Sequence, residues 1–386
     1  MKYLGIEAEK LEQSQAFWTA KEICQQPVCW QQTQALIEAQ QPQIEKFLAP
    51  LTAQSELRII LTGAGSSAFS GEILAPFMNQ LIKRQTRAIP TTDLVSNPYH
   101  YLEKDKPTLL ISFARSGNSP ESTAAVQLVN QIVDNGYHLI ITCNQQGQLY
   151  QENCNAENAY TLALSPQTHD NGFAMTSSFS SMTLAAAILF LQPHFAPERL
   201  AQLAETADHF IQTRHSQVKS IASEPVERIV YLGSGGFKGL AQESALKLLE
   251  LTAGEVVAIY DTPLGFRHGP KSIINANTTV IVYLSNDAYT RRYDIDLCHE
   301  ILRDGKMQRL VVLTAEPEPS LPEENQICFT ALGDAADIAL VFPYVTFAQQ
   351  FAFYRSFLSG HTTDNPCPSG EVNRVVQGVT IHPYQS

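Results

Sequence analysis

The stretches LRIILTGAGSSA at residues 57–68 and ERIVYLGSGGFK at residues 227–238 share one pattern, an apolar run that ends in a turn of glycine and serine. Such a run before a glycine turn is typical of a strand that leads into a helix. Its recurrence about 170 residues later indicates that one fold occurs twice. A chain of 386 residues is long enough for two domains.

Short apolar runs alternate with longer helical stretches, such as 121–130, after each of these turns. This alternation is the signature of βαβ units, so we predict an α/β fold with two tandem domains, each a doubly wound parallel sheet flanked by helices. Strands are predicted at 58–61, 109–113, 138–142, 228–232, 279–284 and 309–313. The predicted parts are a helical extension at 1–50, domains at 51–205 and 206–360, and a tail at 361–386.

The two copies differ in one loop. Residues 108–122, TLLISFARSGNSPES, correspond to residues 278–292, TTVIVYLSNDAYTRR, which lack the serine-glycine loop. Ligands of doubly wound sheets bind beyond the carboxyl ends of the strands, so the turns after Leu61, Phe113 and Leu232 are candidate sites. We predict that one half binds an anionic ligand.

The composition excludes several classes of function. A net charge of −12 repels a nucleic-acid backbone, so nucleic acid is not an expected partner. The longest apolar run, 184–191, is too short for a membrane span, and the N-terminus does not resemble a signal peptide. Seven dispersed cysteines without a CxxC pair fit a reducing compartment, so we expect a cytoplasmic protein.

The first glycine turn, GAGSSA at 63–68, matches the GxGxxG/A fingerprint of dinucleotide-binding folds, with Asp93 as a possible ribose partner. A tight strand-to-helix turn would have the same pattern. Ser66 and Ser67 favour a different interpretation, because they place two hydroxyls at a helix N-terminus, where the backbone amides already attract phosphate.

The loop RSGNSPES at 115–122 is a sharper signal, since a strand enters a loop of hydroxyls that opens directly into a helix. Ser116, Ser119 and Ser122 can donate to phosphate oxygens, and Gly117 lets the backbone amides close around them. The alternative is an ordinary Ser-Pro helix cap. Two such loops in neighbouring units favour one phosphomonoester site.

The sequence ESALKLLE at 243–250 places Lys247 and Glu250 three residues apart, on the same face of a predicted helix. A surface ion pair is the usual explanation for this spacing. The leucines and alanines around the pair favour partial burial, and a desolvated carboxylate can act as a general base.

The loop DTPLGFRHGPK at 261–271 presents His268 between glycines and prolines. A loop histidine is usually structural, but beside a phosphate site it is suited to moving protons near neutral pH. The neighbours His169 and Asp170 are too few to indicate a metal site, and we predict no metal.

Together, GAGSS, ARSGNSPES, ESALKLLE and FRHGPK resemble the tandem sugar isomerase (SIS) domains of glucosamine-6-phosphate synthase. The chain resembles the bacterial galactosamine-6-phosphate deaminase/isomerase family more closely still. That resemblance covers nearly the whole chain and includes LTGAGSSAF, THDNGFAMTSS, ELTAGEVVAIYDTPLGFRHGPKS and VNRVVQGVTIHP.

The resemblance implies a role for each matching residue. Glu250 matches the carboxylate that moves a proton between C1 and C2, Lys247 the lysine beside it, and His268 the histidine that assists ring opening. In the synthase this histidine comes from the neighbouring subunit, which implies a homodimer. The implied contacts to sugar or phosphate are Ser66, Ser67, the Arg115 backbone, Ser116, Ser119, Thr176 and Ser177.

One position departs from the synthase. A lysine near its C-terminus reaches the sugar, and Gln377, a neutral amide, matches that position here. A glutaminase domain is also missing, so deamination is favoured over synthesis. The resemblance therefore implies conversion of galactosamine 6-phosphate to tagatose 6-phosphate and ammonia, without a cofactor.

Three other functions remain open at this stage. A plain aldose/ketose isomerase acting on a hexose 6-phosphate would use the same base without releasing ammonia. A non-catalytic sugar-phosphate sensor is disfavoured, because the N-terminal extension has few cations for a DNA-binding segment. A dinucleotide-dependent dehydrogenase ranks lower.

Overall fold

The computed structural model describes residues 1–376 and 378–385. The chain divides into two compact units, each with one large sheet. Unit A comprises Val28–Asp170, Ser177–Pro193 and Ser369–Ser386. Unit B comprises Met1–Pro27, Asn171–Thr176 and His194–Pro368.

The N-terminal region is helical, as predicted, apart from a short antiparallel hairpin. Pro42 lies in the first turn of a helix, where its missing N–H costs nothing. The elements are β1 (Lys2–Tyr3), β2 (Ile6–Glu7), α1 (Ala8–Gln13), α2 (Phe17–Cys24), α3 (Gln26–Ala39) and α4 (Gln41–Thr52).

Unit A contains a five-stranded parallel sheet with the order β4-β3-β5-β6-β7. Its strands are β3 (Arg58–Thr62), β4 (Thr86–Ala88), β5 (Thr108–Ala114), β6 (Gly136–Thr142) and β7 (Ala159–Ala163). The helices between and after them are α5 (Ser66–Ile82), α6 (Thr91–Ser96), α7 (Pro120–Ile132), α8 (Gln148–Asn153) and α9 (Ser177–Phe190), with 3₁₀ turns at Pro98–His100 and Pro166–Thr168.

Unit B contains a second five-stranded parallel sheet, with the order β12-β11-β10-β8-β9. Its strands are β8 (Arg228–Gly233), β9 (Val257–Asp261), β10 (Thr278–Tyr283), β11 (Arg309–Thr314) and β12 (Gln326–Cys328). Its helices are α10 (Pro197–Ser223), α11 (Phe237–Leu251), α12 (Pro263–Phe266), α13 (Ala288–Asp304) and α14 (Asp337–Leu358), with 3₁₀ turns at Pro270–Ile273, Glu323–Asn325 and Thr330–Leu332.

The predicted fold class is confirmed, and the six predicted strands match observed strands to within two residues at each end. In chain order both sheets have the arrangement 2-1-3-4-5, in which the order reverses between the first and third strands. The central strands β3 and β5 are buried along their whole length, as continuous apolar runs of parallel sheets require.

The turn after the first strand needs glycine in both units. A Cβ atom on Gly63 would lie 2.6 Å from the backbone of Ser67, and one on Gly233 would lie 2.5 Å from the Phe237 carbonyl oxygen. Gly65 and Gly235, two residues on, have φ values of 56° and 57°, which favour glycine. The glycine turns that predicted the duplicated fold are therefore required by the same steric constraint in both units.

Each unit buries its own apolar core. In unit A, Ile60, Leu110 and Ile140 from the strands pack with Val126 and Val129 of α7. In unit B, strand residues such as Val230 and Val280 pack with the buried face of α13. The almost wholly buried helix α14 packs against α10 and α11. Among the described residues, no helix combines the length and apolar character that crossing a membrane requires.

Candidate active site

The turn after β3 places Ser66 and Ser67 at the first residues of α5, and both side chains are buried. Thr62 at the end of β3 pairs with Ser112 of β5, so the loops after these two strands leave the same edge of the sheet. This edge lies where the strand order reverses, the usual ligand position in such sheets. Asp93, the residue considered for a ribose contact, lies exposed in α6.

The loop after β5 runs from Arg115 to Ser119, the residue that precedes α7. Ser116 is buried, and its hydroxyl accepts a hydrogen bond from the Asn118 backbone N–H at 3.3 Å. Gly117 has a φ of 67°, which turns the loop tightly. Hydroxyls and a helix N-terminus in one loop form a site suited to an anion.

The loop that follows β6 supports this serine loop. The Asn144 amide donates to the Ser116 carbonyl oxygen at 2.8 Å, and the Leu149 backbone N–H donates to the Gly117 carbonyl oxygen at 2.9 Å. A Cβ on Gly147 would lie 2.4 Å from the Ser116 carbonyl oxygen, so only glycine fits. Neither Asn144 nor Gly147 was among the predicted site residues, although both follow a predicted strand at the same sheet edge.

Two arginines bring positive charge to unit A. The Arg115 guanidinium donates to the Arg374 carbonyl oxygen at 2.6 Å, and the Arg374 guanidinium donates to the Asp170 carbonyl oxygen. Burial, followed by the charges of Arg374 and Arg115, lowers the pKa of His169. In an acidic chain, these cations provide a local positive charge that suits an anionic ligand.

The buried carboxylate of Asp170 organises the start of α9. It accepts hydrogen bonds from the Ser177 hydroxyl, from the Ser178 backbone N–H at 2.9 Å, and from the Ser178 hydroxyl at 2.5 Å. Ser177 was predicted to contact sugar, and its buried hydroxyl donates to Asp170. Thr176, also buried, belongs to unit B. Gln377 lies outside the described residues.

The helix α11 carries the predicted acid–base pair. The Lys247 side chain is completely buried, and its ammonium lies 2.5 Å from the Glu250 carboxylate, whose side chain is 24% exposed. The ammonium also lies 3.6 Å from the completely buried carboxylate of Glu243. Glu243, Lys247 and Glu250 therefore share one helix face, and the burial expected from the surrounding leucines is confirmed.

His268 lies apart from this pair along the chain, in the loop between α12 and the 3₁₀ turn at Pro270–Ile273. It is exposed, and its backbone N–H donates to the Gly265 carbonyl oxygen at 2.9 Å. The following Gly269 has a φ of 125°. An exposed imidazole on a short loop is free to meet a group outside its own loop.

The corresponding edge of the sheet in unit B is occupied by the chain's own carboxylates. The Ser234 hydroxyl donates to Asp294 at 2.5 Å, and the Ser285 backbone N–H donates to the same carboxylate at 3.2 Å. Asp337 accepts from the Ser285 hydroxyl at 2.5 Å and from the Asn286 backbone N–H at 2.7 Å. The turn after Leu232, a candidate site by sequence, is thus bonded internally.

Burial raises the pKa of Asp294 to about 6, against the hydrogen bonds from Ser234 and Ser285, and it also raises the pKa of Asp337. Sequence analysis missed both carboxylates, which come from α13 and the start of α14. Within residues 1–376 and 378–385, no group of three or more His, Cys, Asp or Glu residues is placed to hold a metal ion.

The duplicated sheet and its serine loops define a class of protein. The model of the SIS domain matches residues 52–192 and 223–360, so the chain is built from two SIS domains. It is 45% identical to the D-galactosamine-6-phosphate deaminase AgaS of Escherichia coli over 96% of both chains. Its identity to the protein of the same name from Shewanella sp. (strain ANA-3) is 46%, over 99% of this chain and 96% of that one.

Solved structures agree with these relationships. The tagatose-6-phosphate ketose/aldose isomerase from Escherichia coli superposes with a TM-score of 0.91, at 42% identity over 99% of each chain. Similarity of this extent covers both units and all the motifs described above. The chain belongs to the D-galactosamine-6-phosphate deaminase family of SIS-domain proteins.

Proposed function

We propose that this protein is a cytoplasmic enzyme of amino-sugar catabolism that converts galactosamine 6-phosphate and water to tagatose 6-phosphate and ammonia. Membership of a deaminase family supports the reaction. The single structural observation that carries it is the buried Lys247 ammonium 2.5 Å from the Glu250 carboxylate. The described cysteines are all free thiols, which fits a reducing compartment.

The substrate phosphate is bound, in this proposal, by unit A. Ser66 and Ser67 open α5, and Arg115, Ser116 and Ser119 lie in the loop that leads into α7 from the same sheet edge. Amides at helix N-termini and hydroxyl donors together suit a phosphate dianion. Thr176, Ser177 and Gln377 complete the proposed set of sugar contacts.

Ring opening comes first, with His268 moving the proton between the ring oxygen and the C1 hydroxyl. Glu250 then removes the C2 proton of the open-chain aldehyde while the C1 carbonyl oxygen takes up a proton, which gives an enolamine. Glu250 returns a proton to C1, and the amine nitrogen loses one. The product is a ketose imine at C2. Water adds to C2, the C–N bond breaks and ammonia leaves, so the reaction balances without a redox cofactor.

Lys247 has two tasks in this mechanism. Its ammonium holds the Glu250 carboxylate in place through an ion pair at 2.5 Å before proton abstraction. It also offers a positive charge beside the site where negative charge develops in the enolamine-forming step. Glu243, one turn earlier in α11, lies 3.6 Å from the ammonium, and its carboxylate offsets part of the cost of burying that charge.

We also propose a homodimer in which His268 serves the partner's site. The support is that His268 is exposed, and that four apolar side chains of unit B, on α11, β9 and α12, are exposed as well. These are Leu249 of α11, Val257 and Tyr260 of the edge strand β9, and Leu264 of α12. Exposed apolar groups on an edge strand favour association with another chain.

The reaction is tested by measuring ammonia and ketose phosphate from galactosamine 6-phosphate, glucosamine 6-phosphate and tagatose 6-phosphate. We expect galactosamine 6-phosphate to release one ammonia for each tagatose 6-phosphate formed. Conversion of tagatose 6-phosphate to an aldose phosphate, with no ammonia from either amino sugar, would establish a plain isomerase instead.

The shared site is tested by mixing two strongly impaired variants, His268→Ala and Glu250→Gln, and allowing subunits to exchange. A mixed dimer has one site with an intact Glu250 and an intact His268 from opposite chains, so activity should return. If the mixture forms mixed dimers and stays inactive, His268 does not act across the interface.

A further inference from the structure

The loop that presents His268 has a cation on each side of the histidine. Arg267 precedes it, and Lys271 follows two residues after Gly269, whose φ of 125° gives the loop a sharp turn. The histidine itself is exposed. A side chain that must meet a reacting atom from such a loop requires a fixed backbone, because a displacement of about 1 Å can cost 10²-fold in rate.

One carboxylate contacts both cations. The Arg267 Nε lies 2.9 Å from Glu300 Oε2, and the Lys271 ammonium forms an ion pair with Glu300 Oε1. Lys271 lowers the pKa of Glu300, so the carboxylate is held in the charged form that both contacts need. Glu300 therefore bridges the two cations that flank His268 in the sequence.

The bridge is attached to a rigid element. Glu300 lies on α13, whose residues Leu297 and Ile301 are buried in the core of unit B. Asp304, one turn along the same helix, lies 2.7 Å from the Lys271 ammonium and adds a second contact to the same side of the loop. Isolated surface ion pairs contribute little, but here two carboxylates on one helix fix both ends of a short loop.

We propose that Glu300 is a positioning residue for His268: by holding Arg267 and Lys271 against α13, it fixes the loop that presents the imidazole to the sugar ring. This inference rests on the proposed function, in which His268 opens the ring. It assigns Glu300 no contact with substrate, and it places part of the catalytic geometry on a helix that carries none of the reacting groups.

The test is a double-mutant cycle in the full-length protein, with ammonia release from galactosamine 6-phosphate as the readout. The variants are Glu300→Gln, His268→Ala and the double variant, with Glu300→Asp to retain the charge. Asp296→Asn is the matched control, because it removes an exposed carboxylate from the same helix. Thermal unfolding verifies that each variant folds.

We expect Glu300→Gln to lower kcat about tenfold with little change in KM, because substrate binding belongs to other residues. Glu300→Asp should recover part of the loss, and Asp296→Asn should match the unmodified protein. In the His268→Ala background, Glu300→Gln should cause no further loss, since its effect passes through the histidine.

Two results would overturn the inference alone: an unchanged kcat in Glu300→Gln, or the same tenfold loss in the presence and absence of His268. The second result would assign Glu300 a general structural role. If His268→Ala keeps full activity, the proposed role of His268 fails, and the positioning role fails with it.

Discussion

The carboxyl edges of the two sheets have the same topology, but the loops at these edges carry different residues. In unit A, the loops after the first and third strands carry buried serines beside helix N-termini, with Arg115 and Arg374 nearby. In unit B, the matching loops donate their hydroxyls and amides to Asp294 and Asp337. One edge carries the serine loops to which we assign the substrate phosphate, whereas the donors of the other are bonded to internal carboxylates.

The comparison indicates that the fold places hydrogen-bond donors at this edge. The residues around the edge determine which group accepts from these donors. Backbone amides and serine hydroxyls converge there in both units because the strand order reverses at the same place. In unit B, carboxylates from α13 and from the start of α14 accept these hydrogen bonds. The chemistry proposed for unit B then rests on α11 and the His268 loop.

The largest expected effect separates binding in unit A from chemistry in unit B. Glu250→Gln removes the proposed base while leaving the serine loops intact, so kcat should fall about 10³-fold. Affinity for galactosamine 6-phosphate, measured by calorimetry on the inactive variant, should change little. Near-normal turnover would remove Glu250 from the mechanism, and loss of binding would place Glu250 among the binding groups.

The next effect concerns the pH dependence of the internal carboxylate. Because the folded pKa of Asp294, about 6, lies above an unfolded value of about 3.9, its contribution to stability is full at low pH and is lost as pH rises through 6. The size of this loss is about 3 kcal/mol. Asp294→Asn should remove this pH dependence. The thermal midpoints of the variant and of the unmodified protein should therefore converge or cross between pH 4 and 7. Parallel pH curves would contradict a raised pKa for Asp294.

A smaller effect concerns the glycine turns after β3 and β8. The two turns should contribute equally to stability and unequally to substrate binding. Gly63→Ala and Gly233→Ala each place a methyl group against the following helix, at 2.6 and 2.5 Å from the nearest atoms, and each should destabilise by about 2 kcal/mol. Only Gly63→Ala should also raise KM, since its turn carries Ser66 and Ser67. A raised KM in Gly233→Ala would indicate that the edge in unit B contributes to binding.

The smallest expected effect compares single hydroxyls. Ser116→Ala should raise KM for galactosamine 6-phosphate about tenfold at nearly constant kcat, the loss of roughly one hydrogen bond to a charged group. Ser234→Ala removes a hydroxyl that already donates to Asp294 and should leave KM unchanged. Equal KM increases in both variants would break the proposed difference between the edges.

Much of this architecture follows from local patterns. Buried parallel strands are recognisable as apolar runs, and the glycines after β3 and β8 are required by contacts within a few residues of the turn. The spacing of Lys247 and Glu250 predicts a shared helix face for the same reason. Interactions between near neighbours in sequence leave a signature in the sequence itself.

The missed residues have partners far along the chain. Asp294 meets Ser234 across 60 residues, Glu300 meets Lys271 across 29, and Asn144 meets Ser116 across 28. None of these contacts produces a periodic pattern or a recognised motif. An aspartate in the middle of a polar helix is ordinarily a solvated side chain, and only packing against a sheet edge gives Asp294 its burial.

The amino-acid sequence by itself determined that two doubly wound sheets form, where their strands lie, and which half has the serine loops, because those features depend on local periodicity and turn sterics. Only the tertiary structure decided that the edge in unit B is satisfied by Asp294 and Asp337, that Lys247 is fully buried, and that Glu300 bridges the cations around His268. Burial and charge pairing arise when distant segments pack together, so they are properties of the fold and not of any single stretch of sequence.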